Sequence, residues 1–324
     1  MAQFQTCEID RALRPWHDVD GGVLPTYELT GPDDAPLVVV LGGISATRHV
    51  TSTSFDPATG WWEALVGERR GIDTTQFRVL SFDYVDGGEA PDGRPLRTVS
   101  THDQADALSS LLHSLDVKRA HAIVGASYGG MVALAFAERY PERVDRLVVI
   151  SAPHEPHPLS TAVRALQRRV VELGLETGKT HEALVLARAL AMTTYRSARE
   201  FAERFDSTPF VHGGRDATFA VERYLRHHGE KFAARWRPSR YLALSLSGDL
   251  HQVDPRDVHT PSVLVAAEGD LIVPGEQMEQ LAAQLAGPAR LVHVATTHGH
   301  DAFLTEPAEF GRILTDALTI DQIQ

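Results

Sequence analysis

One serine stands at a strand-to-helix turn near the middle of the chain. Residues 122–137 read AIVGASYGGMVALAFA, which is an apolar run, a glycine turn and then a helical pattern. The turn has the form G-x-S-x-G, with Ser127 between Gly125 and Gly129. Such a turn strains the serine backbone and lifts the hydroxyl above the sheet, because glycines allow the chain to approach closely on either side. The pattern predicts that Ser127 is a nucleophile.

A serine hydroxyl becomes a good nucleophile when an imidazole takes its proton and a carboxylate orients that imidazole. Asp270 ends the run LVAAEGD, and His300 lies in the loop THGHDAF after the next apolar run. The order serine, aspartate, histidine is the order expected of an α/β-hydrolase fold. We therefore predict a catalytic triad of Ser127, Asp270 and His300. The competing candidates for the acid and the base are Glu268, Asp249, Asp254 and His298.

Backbone amides near the serine are candidates for binding the negative charge that develops on an attacked carbonyl. The amide of Tyr128 directly follows the nucleophile. A second amide is expected from Gly43 or Ile44, in the loop after the buried run PLVVVLGG. Ligands bind beyond the carboxyl ends of strands in open α/β sheets, which is where this loop lies. We predict that these amides form an oxyanion hole.

Strand and helix patterns alternate along most of the chain. Strand patterns cover residues 36–43, 78–83, 122–126, 144–150, 262–270 and 290–297. This alternation predicts an α/β fold with a mostly parallel sheet and helices on both faces. Residues 153–238 lack a buried-strand run and show helical spacing, so we expect a helical cap inserted into a core of residues 1–152 and 239–324. Gly21-Gly22 predicts a hairpin turn at the sheet edge.

Composition narrows the classes of partner. The net charge of −12 over 324 residues argues against nucleic acid and anionic membranes as partners. The N-terminus is charged throughout and lacks the apolar segment of a signal peptide, and a single cysteine, Cys7, gives no intrachain disulfide. The 16 histidines are scattered without an H-E-x-x-H pattern, so no metal site is expected. We expect a soluble, cytoplasmic protein that binds small molecules.

Longer strings carry a more specific likeness across most of the chain. They are GWWEALVG, GASYGGMVALAFAERYPERV, LARALAMTTYRSAREFAERF, VERYLRHHGEKFAARWRPSRYLALS, GDLIVPGEQ and GHDAFL. In these strings the chain resembles the homoserine O-acyltransferase family of α/β-hydrolase-fold enzymes. The resemblance implies ping-pong transfer of an acetyl group from acetyl-CoA to the hydroxyl of L-homoserine, in methionine biosynthesis and without a permanently bound cofactor. The alternatives are succinyl-CoA as donor, serine as acceptor, or hydrolysis of an ester or thioester.

The resemblance also implies roles for three further residues and an assembly. Arg188 and Tyr195 would help to hold the amino acid, and Asp301 would bind its ammonium group. A zwitterion needs a cation for its carboxylate and an anion for its ammonium, so these residue types suit the substrate. The cap is commonly the interface of a homodimer in this family. Two loops, 41–46 and 83–93, depart from the family pattern near the expected position of the acyl donor, which leaves acetyl-CoA and succinyl-CoA both open.

Overall fold

The computed structural model describes residues 25–212 and 216–319. In chain order the strands are β1 (Tyr27–Thr30), β2 (Leu37–Leu41), β3 (Val66–Gly67), β4 (Ile72–Asp73), β5 (Arg78–Phe82), β6 (Ala122–Ala126), β7 (Leu147–Ile150), β8 (Phe210–Val211), β9 (Ala217–Thr218), β10 (Ser262–Ala267) and β11 (Ala289–Val294). Seven of these strands form a central sheet in the spatial order β1-β5-β2-β6-β7-β10-β11. All neighbouring pairs in the central sheet are parallel except β1 with β5. The mostly parallel sheet predicted from the sequence is confirmed.

Helices cover both faces of this sheet and fill the insertion. In chain order they are α1 (Thr101–Ser114), α2 (Tyr128–Arg139), α3 (Pro158–Thr177), α4 (Thr180–Tyr195), α5 (Ala198–Arg204), α6 (Ala220–Ala233), α7 (Pro238–Asp249), α8 (Gly275–Gln284), α9 (Ala302–Thr305) and α10 (Pro307–Thr319). Every helix within residues 25–212 and 216–319 is too short or too polar to cross a bilayer. The hairpin turn expected at Gly21-Gly22 lies outside the described residues.

Strand β2 shows why the apolar runs become central strands. Its five residues are all buried, and they alternate between two cores. Leu37, Val39 and Leu41 join the core formed with α1, α2 and α8. Val38 and Val40 join the core on the other face, formed with α10 and Trp62. Because successive side chains point to opposite faces, a strand covered by helices on both sides must be apolar at every position.

The predicted strand 144–150 is longer than the observed one. The strand β7 begins at Leu147. Val144 makes only an isolated parallel bridge with Ala120. A short 3-10 turn, Pro141–Arg143, lies directly before it and redirects the chain before the ladder begins. The apolar pattern alone therefore overestimated this strand by three residues.

The region between β7 and β10 contains the cap helices. Helices α3, α4 and α6 enclose their own apolar cluster with Val171, Leu184 and Phe232 at its centre. The region also contains a two-stranded hairpin of β8 and β9, whose residues are largely exposed. Helix α7 belongs to both layers, since Tyr241 packs in the cap cluster and Leu244 in the core below. The cap thus has its own core and rests on the sheet through α7.

Helix α1 begins where its sequence provides a cap. Ser100 is the N-cap, and its hydroxyl accepts a hydrogen bond from the Asp103 amide. The Asp103 carboxylate accepts in return from the Ser100 amide at 2.7 Å. Thr101, the next residue, is the first residue of the helix. Reciprocal caps of this kind stabilise a helix by about 1 kcal/mol.

Helix α2 packs unusually close to the strands beside it. A Cβ added to Gly125 would lie 2.3 Å from the carbonyl oxygen of Gly129. A Cβ added to Gly129 would lie 2.3 Å from the carbonyl oxygen of Leu41. Both obstacles are backbone atoms, so a larger residue would force the helix away from the sheet. The glycines on either side of Ser127 are required by this packing.

We predict that Gly129→Ala destabilises the protein by about 1–3 kcal/mol, because the new methyl group overlaps backbone atoms of β2. The melting temperature should fall by several degrees, measured by circular dichroism. Gly275→Ala is the matched control, since nothing lies within 4 Å of an added Cβ at the start of α8. An unchanged melting temperature in Gly129→Ala would contradict the close packing described above.

Candidate active site

Ser127 lies at the turn between β6 and α2 in a strained conformation. Its φ is 55° and its ψ is −122°, a combination that non-glycine residues rarely adopt. The Ser127 amide donates to the carbonyl of Ile150 at 2.8 Å, which ties the turn to β7. Strain of this kind costs about 1–3 kcal/mol and persists because the surrounding packing fixes the turn. The hydroxyl consequently points away from the sheet toward His300.

A continuous chain of hydrogen bonds joins Ser127, His300 and Asp270. The Nε2 atom of His300 lies 2.8 Å from the Ser127 hydroxyl oxygen, and its Nδ1 atom lies 2.7 Å from Oδ2 of Asp270. The other carboxylate oxygen of Asp270 accepts from the amides of Ile272 and Val273, at 2.8 and 2.9 Å. With its carboxylate fixed in this way, Asp270 can keep the His300 ring in the orientation that a general base needs. The carboxylate also stabilises the positive charge that the ring acquires with the serine proton.

The electrostatics of His300 suit proton transfer from the serine. Burial lowers the pKa of His300, but the charge and the hydrogen bond of Asp270 outweigh burial, and the pKa lies above its usual value. The carboxylate of Asp301 also raises the pKa of His300. The imidazolium that His300 becomes when it takes the Ser127 proton is therefore stabilised by these two carboxylates.

The competing candidates lie elsewhere. His298 places Nδ1 3.0 Å from Glu200 and Nε2 3.7 Å from Glu306. Glu268 is exposed at the end of β10. Asp249 pairs with two cap arginines, and Asp254 pairs with Arg256. The structure thus brings the three predicted triad residues together, places three of the alternatives in other contacts and leaves Glu268 exposed.

The three predicted oxyanion residues lie beside the nucleophile. Tyr128 is the first residue of α2, where a backbone amide has no acceptor within the helix. Gly43 faces the serine closely enough that an added Cβ would lie 3.9 Å from the Ser127 Cβ. Gly43 and Ile44 line the same cavity as Ser127. Which of their amides binds the charge stays a prediction.

Two hydrogen bonds fix the loop that contains Gly43. The amide of Gly129 donates to the Gly42 carbonyl at 2.9 Å, and the Tyr84 hydroxyl donates to the same oxygen at 2.7 Å. The Tyr84 ring meets the Tyr128 ring edge to face, with centroids 4.8 Å apart. Tyr84 belongs to the loop 83–93 that departs from the family pattern, so this loop supports the candidate oxyanion hole from behind.

A cavity of about 360 Å³ lies above Ser127, between the sheet and the cap. Its lining includes the predicted residues Arg188, Tyr195 and Asp301 together with Ser127 and His300. This volume is at the lower end of the range of small-molecule sites. The sequence-predicted residues therefore converge on one cavity, although they come from widely separated parts of the chain.

Arg188 and Tyr195 form the cap side of this cavity. The guanidinium carbon of Arg188 lies 5.1 Å from the Tyr195 ring centre and 5.3 Å from that of Phe232. The Tyr195 ring stacks on His300 with 5.9 Å between ring centres. Among the described residues, no carboxylate forms an ion pair with Arg188. Its charge is held between aromatic rings and remains available to a ligand.

Asp301 reaches the cavity but already has a cationic neighbour. Its carboxylate is 3.0 Å from Nε of Arg196. Burial raises the pKa of Asp301, and the opposing charges of Arg196 and His300 do not cancel this effect. The role of Asp301 in binding an ammonium group stays a prediction. An ammonium group bound there would share the Asp301 carboxylate with Arg196.

The sequence interpretation missed a network between the cap and the histidine loop. Glu200 accepts from Arg196 at 3.0 Å and contacts Nδ1 of His298 at 3.0 Å. The Ser197 hydroxyl donates to the carbonyl of Thr297. The available signal was S-x-x-E at residues 197–200, which is typical of a helix start. That pattern does not say what else Glu200 contacts.

A second missed feature is a cluster of charged residues under the cap, which we name the Arg164 cluster. It consists of Arg164 and Arg168 on α3 and Asp249 at the end of α7. Arg164 lines the cavity above Ser127. Two arginines four residues apart on a helical pattern were the only signal in the sequence. That spacing is more often found on a solvated face.

One group of potential metal ligands occurs in the described residues. Glu28, His49 and Asp56 place ligand atoms within 4.8 Å of one another. Both ring nitrogens of His49 already have partners, Glu28 at 2.9 Å and the Ala58 carbonyl at 2.8 Å. None of the three lines the cavity. The group is accounted for by hydrogen bonds within the protein.

Comparison with known proteins agrees with the fold. A family model described as the alpha/beta hydrolase fold matches residues 36–307. A homoserine O-succinyltransferase of Xanthomonas campestris pv. campestris is 44% identical over 292 residues, covering 90% of this chain and 78% of the relative. A homoserine O-acetyltransferase of Thermus thermophilus is 35% identical over 341 residues, covering 91% of this chain and 86% of the relative.

A crystal structure of homoserine O-acetyltransferase from Bacillus anthracis superimposes with a TM-score of 0.80. The match covers 92% of each chain at 18% identity, which supports the fold. The family resemblance stated from the sequence strings is confirmed by the two curated relatives, which are matched over nine tenths of this chain. This chain belongs to the homoserine O-acyltransferase family of the α/β-hydrolase fold.

Proposed function

We propose that this protein transfers an acyl group from an acyl-CoA donor to the hydroxyl of L-homoserine. The observation that carries the proposal is the hydrogen-bonded series Ser127, His300 and Asp270 beneath a cap that presents Arg188 to the same cavity. A nucleophile and a cation for an amino acid carboxylate are thereby placed together. The names of the two relatives describe this class of transfer, one with a succinyl group and the other with an acetyl group.

The first half-reaction forms an acyl-enzyme. Nε2 of His300 takes the proton of the Ser127 hydroxyl, and the oxygen attacks the thioester carbonyl. The amides of Tyr128 and of Gly43 or Ile44 stabilise the negative oxygen of the tetrahedral intermediate. The C–S bond then breaks, and His300 returns the proton to the thiolate of coenzyme A. Ser127 is left as an ester.

The second half-reaction repeats these steps in reverse with a different nucleophile. The homoserine hydroxyl gives its proton to His300 and attacks the ester carbonyl of acylated Ser127. Collapse of the second intermediate frees Ser127, which regains the proton from His300. Arg188 holds the carboxylate of homoserine, and Asp301 attracts its ammonium group. The cap favours transfer over hydrolysis because it restricts the access of water to the ester.

The relatives differ in the acyl group that their names give, so the acetyl donor expected from the sequence and its succinyl alternative both stay predictions. The absence of a bound cofactor and the cytoplasmic location also stay predictions. The same holds for the place of the reaction in methionine biosynthesis. Serine, which is one methylene shorter than homoserine, is the nearest alternative acceptor. A single methylene is worth about 1–3 kcal/mol of discrimination, so weak transfer to serine is expected.

We also propose that the protein forms a homodimer through the cap. Leu166 and Leu173, seven residues apart on α3, are 67% and 44% exposed. Leu186 and Leu190, four residues apart on the neighbouring α4, are 51% and 38% exposed. Residues with these spacings share a helix face. Four exposed leucines on two packed helices form the kind of apolar surface that a second copy would cover.

The acyl-enzyme is the direct test of the proposed function. With an acyl-CoA and no homoserine, mass spectrometry should show one acyl group on the protein and a burst of free thiol. Adding homoserine should remove the acyl group. Ser127→Ala should abolish the adduct and lower transfer by at least about 10³-fold. Ser114→Ala, at the end of α1, should behave as wild type. Thiol release that homoserine does not accelerate would indicate a hydrolase instead.

The pH dependence tests the role of Asp270. His300 must be neutral to accept a proton, so kcat/KM should fall with acid through a midpoint above the usual histidine value of 6.5. In Asp270→Asn, burial is opposed only by the weaker effect of Asp301, so the pKa of His300 falls and the acid limb moves to lower pH. The plateau rate should also fall by about 10³- to 10⁴-fold. Glu268→Gln, which changes the exposed carboxylate nearby, should leave the pH profile of kcat/KM unchanged. If the acid limb of Asp270→Asn does not shift, Asp270 is not the carboxylate that sets the pKa of His300.

The oligomeric state tests the cap surface. We expect wild type to be a dimer by light scattering coupled to size exclusion. The double substitution Leu166→Glu and Leu173→Glu should give a monomer, because it places charges in the apolar contact. Leu96→Glu is the control, since Leu96 is 61% exposed and lies outside the cap. A dimer that survives the double substitution would exclude this face.

A further inference from the structure

The Arg164 cluster contains one more cation than anion. Nε of Arg164 donates to Oδ1 of Asp249 at 2.7 Å. Arg168 donates through Nη1 to the other carboxylate oxygen and, at 3.1 Å, to the Ser245 hydroxyl. The three side chains are largely buried, with exposures of 18% for Arg164, 15% for Arg168 and 5% for Asp249. One carboxylate balances one guanidinium, so the cluster carries a net charge of +1.

Arg164 is the arginine of this cluster that brings free hydrogen-bonding capacity to the cavity. Its Nη2 atom is buried and lies 2.6 Å from Oδ1 of Asp249, but it makes no hydrogen bond of suitable geometry. Its Nη1 atom has no acceptor among the described residues. Arg164 lines the cavity above Ser127, whereas Arg168 does not. Arg168 and Asp249 therefore hold Arg164 in place, and Arg164 offers a partly desolvated guanidinium edge to the cavity.

Arg188 is a second cation on the same cavity and has no ion-paired carboxylate among the described residues, but its surroundings differ. Arg188 and Asp301 both line the cavity, and the charge of Arg188 acts against the burial that raises the pKa of Asp301, so a cation and an anion are both available there. This pairing suits a zwitterion. Asp249 already serves two arginines, so the Arg164 cluster has no anion left for an ammonium group. It suits a group that carries a carboxylate alone.

Homoserine supplies one carboxylate, and an acetyl group supplies none. Transfer of an acetyl group would therefore leave Arg164 to share the Asp249 carboxylate with Arg168 and with no second anion in the cavity, which is unfavourable for a partly buried charge. A succinyl group ends in a carboxylate, which matches the two-pronged donor geometry of a guanidinium. A dicarboxylic acyl group and homoserine together supply one carboxylate for each of the two arginines that line the cavity, Arg164 and Arg188.

We propose that Arg164, positioned by Arg168 and Asp249, binds the terminal carboxylate of a dicarboxylic acyl donor of the succinyl-CoA class. This proposal rests on the proposed acyltransferase function and adds the identity of the acyl group. The chemistry at Ser127 is unchanged: the thioester bond breaks, the serine ester forms, and coenzyme A leaves as the thiol. Arg164 acts on the part of the acyl group remote from the reacting carbonyl. It selects the donor.

The experiment compares two donors at saturating homoserine. Thiol release is measured with succinyl-CoA and with acetyl-CoA, and the ratio of the two kcat/KM values is the readout. Wild type should favour succinyl-CoA. In Arg164→Gln the ratio should fall by about 10- to 100-fold, which is the range expected for losing a hydrogen-bonded charge pair. Arg164→Lys, which keeps the charge and loses the forked geometry, should give an intermediate ratio.

Two arginines serve as comparisons. Arg188→Gln should raise the KM for homoserine and leave the donor ratio unchanged. Arg169→Gln should match wild type, because Arg169 is half exposed on the same helix and pairs with Glu172 and Glu176. If Arg164→Gln does not fold, as judged by circular dichroism, the ratio of the two kcat/KM values in Arg164→Lys tests the role of Arg164 instead.

The possible failures separate the two proposals. A wild type that prefers acetyl-CoA, or an Arg164 variant that keeps the wild-type ratio, overturns the assignment of Arg164 while transfer to homoserine stands. A wild type that transfers no acyl group to homoserine from either donor overturns the proposed function itself.

Discussion

The packing of helix α2 against strand β2 is the constraint on which the reactive geometry depends. Gly129 lies against the Leu41 carbonyl so closely that no side chain fits, and its amide bonds to Gly42. This contact places the first amide of the helix, the Gly42-Gly43 loop and Ser127 around one point. The nucleophile and its expected charge-stabilising amides are thus positioned by backbone contacts, which vary less than side-chain conformations.

The histidine side of the relay is held differently, because it depends on the cap. The loop that carries His300 is bound to α5 through Glu200 and to the two residues before α5, Arg196 and Ser197. From the core, Trp62 donates its ring N–H to the Phe303 carbonyl at 2.9 Å. The catalytic loop is therefore clamped between cap and core, and displacement of the cap would disturb His300 as well as open the cavity.

The sequence predicted most of the sheet and the residues of the relay because both leave local signals. Apolar runs such as Leu37–Leu41 show burial directly, and a G-x-S-x-G turn has few structural solutions. The start of β7 was wrong because a turn before Leu147, not polarity, sets it. The contacts of Glu200 and the Arg164 cluster were missed for another reason. They form between segments distant in the chain, and single-sequence patterns contain no information on such approaches.

The division of the molecule into sheet and insertion separates reactivity from recognition. The relay belongs to loops at the carboxyl ends of core strands, whereas two cations that line the cavity, Arg164 and Arg188, belong to α3 and α4. During evolution, substitutions on two cap helices can alter which metabolite is accepted while the reactive machinery is inherited intact. This arrangement explains physically how relatives on one scaffold come to bear the names of different transferases.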